Sequence, residues 1–347
     1  MYDVLVVGAG LFGATAARDL TERGYRVAVV EKRHEPGGNC ADELRGGILV
    51  GRHGGHIFHT NSARVWQWAN RYADFIPYTH RVTARAGDNL YSFPVNLLTL
   101  NQLYGVTTPQ DAARLLADPA IVADLERTFF AGYSEKQWGK AYAEISRSTT
   151  GRIPWRATYD DRYFADTYQG LPSGGYSAWI ANILAGIPAV YGDDFTRSKD
   201  YWLRKVKRVI YTGPLDALFG FEAGRLEYRS LRFEHHTAPG DFQGCATVNY
   251  CDASVPYTRT LEWKHYGWQK SAETVYTYEY PAAYDGTNEP YYPVKSPANA
   301  QMYNAYTERA AACGWLEVGG RLGSYQYLNM DQAIAGALAL VERMVKA

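Results

Sequence analysis

Cysteine is scarce in this 347-residue chain, and its four copies, Cys40, Cys245, Cys251 and Cys313, fall into no C-x-x-C pair. That spacing excludes a disulfide scaffold and a cysteine-held zinc site, and no metal site is expected elsewhere. An excess of one charge is missing too: 36 Lys and Arg balance 36 Asp and Glu. A general nucleic-acid binder normally carries a basic surplus, so no nucleic-acid partner is expected, although a local basic pocket for a small anion is not excluded. No apolar run approaches the roughly 18 residues needed to span a bilayer. The first residues, Met-Tyr-Asp, lead straight into a short apolar strand without a charged leader. The expectation is a cytoplasmic protein without membrane insertion. G-x-S-x-G and H-E-x-x-H strings are absent, and no pair of acids stands out. A side-chain nucleophile and a zinc hydrolase therefore have no support.

What is abundant is aromatic, with 29 tyrosines and 9 tryptophans. A tyrosine offers a flat apolar body and a polar tip, which suits stacking on rings and bonding sugar hydroxyls. Residues 3–7 read as a buried strand, 14–23 as an alanine-rich helix stopped by Gly24, and 26–31 as a second strand. This makes one βαβ unit of the usual length. Helices are expected over 109–131 and 176–184. Alternating side chains over 225–281 predict antiparallel strands. A strand at 315–318, a Gly319-Gly320 turn and a helix over 330–345 then resume the opening pattern. The fold class expected is α/β. A Rossmann-like FAD-binding domain (1–75 with 185–225 and 312–347) carries an inserted helical domain (100–184, with a mobile substrate loop). An antiparallel sheet domain (76–99 and 226–311) completes the chain.

Gly8-Ala9-Gly10-Leu11-Phe12-Gly13 lies between the first strand and helix, and Glu31 ends the next strand. Gly8 permits the tight turn, Gly10 lets a pyrophosphate approach the backbone, and Gly13 allows close helix packing. The helix N-terminus offers unpaired N–H groups and the positive end of a dipole. A carboxylate at Glu31 accepts bonds from ribose hydroxyls and repels a 2′-phosphate, which argues against NADP. Beyond Glu31, Lys32-Arg33 and Gly37-Gly38-Asn39 resemble the extension found in glutathione-reductase-type FAD proteins. Residues 208–214, with Thr212 and Gly213, resemble the strand and turn these flavoproteins place near their cofactor. Gly319-Gly320-Arg321 resembles their third contact, and FAD is the cofactor expected.

Seven further strings narrow the resemblance. They are Gly54-Gly-His-Ile-Phe-His-Thr60, Gly132-Tyr-Ser-Glu-Lys-Gln-Trp-Gly139, Arg152-Ile-Pro154, Tyr168-Gln-Gly170, Glu227-Tyr-Arg-Ser-Leu231, Val255-Pro-Tyr-Thr-Arg259 and Glu289-Pro-Tyr-Tyr-Pro293. In this order they resemble the UDP-galactopyranose mutase family, from Tyr2 to about Val345. The resemblance implies an isomerase that needs reduced FAD, with flavin N5 acting as nucleophile at the anomeric carbon of a UDP-hexose. The electrons come from an external flavin reductant or NAD(P)H. It implies Arg152 and Arg259 as the catalytic arginines on the diphosphate, with His56 beside the flavin. His80, Tyr133, Trp138, Tyr163, Arg229, Asn249, Tyr292 and Tyr327 then face the nucleotide sugar. Gly8, Gly10, Phe12, Gly13, Glu31, Lys32, Asn39, His56, Ile57, Thr212, Gly213, Arg321, Asn329, Met330 and Gln332 face FAD.

Three positions depart from the family pattern. His80 stands where the family has Asn near the substrate. Asn329 replaces an Asp, and with Gln332 it reads equally as a helix N-cap pair. The helical region between Gly105 and Gly132 is shorter than in typical bacterial members, where it helps form a dimer, so the expected homodimer is the partner this shortening touches. The first two leave open the same chemistry on another nucleotide sugar, such as a deoxyhexose or heptose on a TDP or GDP carrier. An FAD amine oxidase-like enzyme and a non-catalytic flavin-binding protein are the remaining alternatives.

Overall fold

The computed structural model describes residues 1–145, 154–267 and 269–346. Strand Tyr2–Val7 lies at the centre of a five-stranded parallel sheet. The order is Ala189–Tyr191, Val27–Glu31, Tyr2–Val7, Val206–Tyr211 and Leu316–Val318. Successive side chains of a strand point to opposite faces. Here Val4 and Val6 enter one buried cluster, while Leu5 and Val7 enter another. Both faces are therefore covered, as a parallel sheet requires. The opening helix Leu11–Glu22 and the closing helix Met330–Lys346 share the first cluster.

The long ribbon of the second sheet pairs Tyr228–Pro239 with Glu273–Ala283 in continuous antiparallel register, Arg229 opposite Ala283 and Pro239 opposite Glu273. The full order is Tyr292–Pro293, Tyr228–Pro239, Glu273–Ala283, Arg259–Glu262, Thr247–Tyr250, Val82–Ala86 and Asn89–Phe93. Two smaller sheets complete the described strands. One is the hairpin Asp42–Arg45 with Ile48–Gly51, and the other sets Tyr168–Pro172 between Phe58–Thr60 and Phe75–Pro77.

Several elements differ from expectation for identifiable reasons. The opening helix starts at Leu11 instead of residue 14, because Gly10 is already the extended N-cap residue. The helix read over 109–131 breaks into Pro109–Leu116 and Pro119–Glu126. Pro119 has no N–H to continue the first, and the Asp118 side chain accepts from Ala120 N to start the second. Strand Tyr168–Pro172 falls in the span read as helical, and helix Pro297–Ala312 in the span read as sheet. The second sheet is not wholly antiparallel: Val82–Ala86 runs parallel to Thr247–Tyr250. Its partner comes from far along the chain, so no hairpin constrains the direction.

Candidate active site

The glycine turn brings three backbones close together. Gly8 adopts φ +104°, and a Cβ there would lie 2.1 Å from Thr212 Oγ1. A Cβ on Gly13 would lie 2.0 Å from the Gly8 carbonyl oxygen. Gly37 N donates to Ala9 O at 3.0 Å, folding the Gly37-Gly38 loop over the turn until a Cβ on Gly38 would reach Gly10 Cα at 2.9 Å. The opening helix has no side-chain cap and no acid in its first turn. Its N–H groups therefore stay open to an anion. Glu31 is buried at the strand end, where one carboxylate oxygen accepts from Ala9 N at 2.7 Å and the other from Arg33 N at 2.8 Å. A side-chain-free cradle, an uncapped helix and a fixed carboxylate fit a dinucleotide.

Other residues expected at the cofactor have structural partners of their own. Phe12 is a core residue: its ring fills the space left by Gly319, Gly320 and Gly336, so only its main chain can face a dinucleotide. Thr212 donates its hydroxyl to Val7 O at 2.8 Å, and Gly213 keeps clear of the Tyr211 hydroxyl. Lys32 and Arg33 both reach Glu289, at 3.8 and 2.8 Å, and Arg33 also donates to Asn39 Oδ1 at 2.9 Å. Arg33, outside the expected set, thus joins Lys32 in tying this loop to Glu289, just before strand Tyr292–Pro293 of the second sheet.

A cavity of about 840 Å³ is lined by the second sheet, by helix Gly132–Trp138 and by residues leading into the closing helix. Its wall gathers Tyr133, Trp138, Tyr163, Asn249, Arg259, Tyr292 and Tyr327 of the expected substrate set, with His80. It also gathers His56, Ile57, Arg321, Asn329, Met330 and Gln332 of the expected cofactor set. Arg152 lies outside the described residues. Arg229 is not among the residues that line this wall. Its guanidinium donates instead to Gln137 O at 2.9 Å and Lys136 O at 3.4 Å, at the negative end of the helix that carries Trp138. Gln332 accepts from Asn329 N at 2.9 Å, forming half of the cap pair that the sequence allowed.

Arg259 and Glu279 are cross-strand partners, and their side chains pair at 2.8 Å. Burial opposes the charge on Arg259, but the Glu279 carboxylate, with Tyr133 and Tyr292 beside it, favours the charged guanidinium by more in sum. Glu279 is 1% exposed and was missed in the sequence. A signal existed, since it follows Val275 and Thr277 on the inward face of a strand, where a lone acid needs a partner. The histidines respond in the opposite direction. Burial lowers His56 and His80 to about 3 and His53 to about 4, helped by nearby arginines. All three are neutral at pH 7. His56 Nδ1 donates to Gly54 O at 2.9 Å, leaving Nε2 as an acceptor, while its carbonyl accepts from the Tyr176 hydroxyl at 3.0 Å. His80 Nδ1 meets the Tyr78 hydroxyl at 3.1 Å, in a wall shared with Tyr163, Phe164 and Tyr266. Tyr292 stacks on Tyr327 with centroids 5.7 Å apart, and Trp138 lies 6.2 Å from Tyr292. The site thus presents a fixed cation, neutral imidazoles and aromatic faces in one cavity.

The family model of UDP-galactopyranose mutase matches residues 128–327, which include Tyr133, Trp138, Tyr163, Asn249, Arg259, Tyr292 and Tyr327 of this wall, and that of the NAD(P)-binding Rossmann-like domain matches residues 6–72. The chain belongs to the UDP-galactopyranose mutase family. Members of this family are isomerases, and the assignment holds along the whole chain. A protein named probable UDP-galactopyranose mutase from Klebsiella pneumoniae is 37% identical, over 99% of this chain and 94% of its own. A dTDP-fucopyranose mutase of Escherichia coli is also 37% identical, over 100% and 99%. The crystal structure of a reduced UDP-galactopyranose mutase aligns with TM-score 0.75 over 100% of this chain and 96% of its own, at 14% identity. A putrescine oxidase shares the fold more loosely, with TM-score 0.58. The Rossmann-like domain is one that holds a dinucleotide cofactor. Among the described residues no helix is long and apolar enough to cross a membrane.

Proposed function

We propose that the protein interconverts the pyranose and furanose forms of a UDP-linked hexose, UDP-galactose first, with FAD bound in its reduced state and an external reductant or NAD(P)H supplying the electrons. The observation that carries this reading is Arg259, held charged by Glu279 in the same cavity as His56 and the tyrosine cluster. Reduced flavin, when bound, supplies a nucleophile at the anomeric carbon and takes the place of a side-chain nucleophile. Arg259 meets the negative charge that grows on the departing diphosphate, and Arg152 is assigned as its partner. Tyr292 and Tyr327 hold the same group by their hydroxyls, Tyr133 and Tyr163 face the sugar, and Trp138 faces the base. The glycine cradle, Glu31 and Asn39 hold the ADP half of FAD, with Ile57, Met330 and Arg321 nearer the flavin. His56 accepts a hydrogen bond at Nε2, and Tyr176 fixes its carbonyl.

The test is turnover of UDP-galactofuranose by dithionite-reduced and by oxidised protein. Pyranose product from the reduced form alone is expected, and equal turnover by both forms would sink the reading. The neutral His80 and the full-length likeness to a dTDP-fucopyranose mutase favour a second reading, the same chemistry on another nucleotide sugar. A panel of UDP, TDP and GDP sugars separates the two, and a clear preference for UDP-galactose ends the second.

A further inference from the structure

Among the described residues lining the cavity, four are cationic, Lys140, Arg259, Lys295 and Arg321, against the carboxylates of Glu144 and Glu279. The surplus matches the two charges of a diphosphate, but the four cations are not equally available. Arg259 is engaged by Glu279 at 2.8 Å. Arg321 donates to Leu328 O at 2.8 Å and covers the ring of Tyr327. Lys140 is exposed just past helix Gly132–Trp138 and, like Lys295, forms no ion pair with a described residue, but no comparable set of hydrogen bonds fixes its main chain beside Tyr292. Lys295 forms no ion pair with a described residue, and its side chain is exposed.

The main chain that carries Lys295 is fixed on both sides. Val294 N donates to Glu227 O at 3.0 Å, and Val294 O accepts from Asn299 Nδ2 at 2.8 Å and from the Tyr325 hydroxyl at 3.0 Å. Ser296 Oγ accepts from Asn299 N at 3.1 Å as the cap of helix Pro297–Ala312. Asn299 itself is 3% exposed. Three consecutive residues before the lysine, Tyr292, Pro293 and Val294, line the same cavity. A pinned backbone thus presents a mobile ammonium at the wall that carries Tyr292. An ammonium on a flexible stem suits a phosphate as a point charge.

We propose that Lys295 is a substrate-binding residue that contacts the diphosphate of the nucleotide sugar. The assignment rests on the nucleotide-sugar reading above and adds to it a cation that none of the seven strings contains. It also assigns a division of labour. Arg259, oriented by its carboxylate, holds one fixed geometry, while Lys295 follows the diphosphate as the sugar leaves and returns.

The test titrates UDP, dTDP, UMP and uridine into the oxidised holoprotein and into Lys295→Met, Lys295→Arg and Lys199→Met, following binding by calorimetry. Lys199, on helix Phe195–Leu203, lies off the cavity wall and controls for the loss of one charge. Lys295→Met is expected to weaken diphosphate binding about tenfold, with uridine unchanged and a shallower dependence of log Kd on log salt. Lys295→Arg restores most of the affinity, and Lys199→Met matches the parent protein. Diphosphate affinity in Lys295→Met within about twofold of the parent overturns the proposal, as does an equal loss for uridine. If the parent protein itself binds neither UDP nor dTDP, the nucleotide-sugar reading fails and the proposal falls with it.

Discussion

Arg259 and Glu279 face each other across two antiparallel strands, and each makes the other's burial tolerable. Removing one partner strands a charge, whereas removing both does not. Glu279→Ala is therefore expected to lower stability by roughly 3 kcal/mol, while the double variant Arg259→Ala/Glu279→Ala falls short of the summed losses of Arg259→Ala and Glu279→Ala. Urea unfolding of the four proteins checks this, and strictly additive losses would count against the pairing. Arg259→Ala should also lose about a hundredfold or more in kcat/KM, as expected for one preorganised donor to developing charge. Arg229 teaches the converse lesson. Motif position points it to the substrate, whereas its bonds to two helix carbonyls have no local sequence signature and appear only in the structure.

At the level of elements, the glycine turn was legible because its signal is local: strand, glycines, helix and acid all lie within the first 31 residues. Its close contacts predict unequal tolerance of a methyl group. Gly38→Ala must displace Gly10 Cα from 2.9 Å, while Gly24→Ala meets nothing within 4 Å. Both positions have positive φ, so both should lose about 1 kcal/mol in stability. Only Gly38→Ala is expected to lose flavin affinity as well, by tenfold or more (about 1.4 kcal/mol). Flavin absorbance of the purified variants decides between these outcomes, and equal flavin content in both would refute the cradle. The second sheet was legible in its alternation but not in its pairing. Nothing near Val82 announces a parallel neighbour at Val248, because that contact is closed by tertiary packing. The break at Asp118-Pro119 was written in the sequence, as a cap followed by a residue without an N–H, and the longer helical periodicity masked it.

Across the whole molecule, three histidines, His53, His56 and His80, stand neutral around one cavity. Their folded values of about 4, 3 and 3 lie below the free value of 6.5, so in acid the unfolded chain takes up protons that the native protein refuses. Stability is accordingly complete above about pH 6.5 and declines toward pH 4, with each histidine contributing a slope of about 1.4 kcal/mol per pH unit. Urea midpoints at pH 7.5, 6 and 5 should fall in that order, and His80→Asn should flatten the decline. A midpoint independent of pH over this range would contradict the buried neutral state. The position of Phe12 has a different kind of consequence, one of timing. Its ring packs against Gly319, Gly320 and Gly336, which lie about 300 residues further along the chain. The turn can form from local contacts, but the Phe12 ring is covered only when those distant glycines fold back onto it, so closing the cradle belongs to the late, long-range stage of folding.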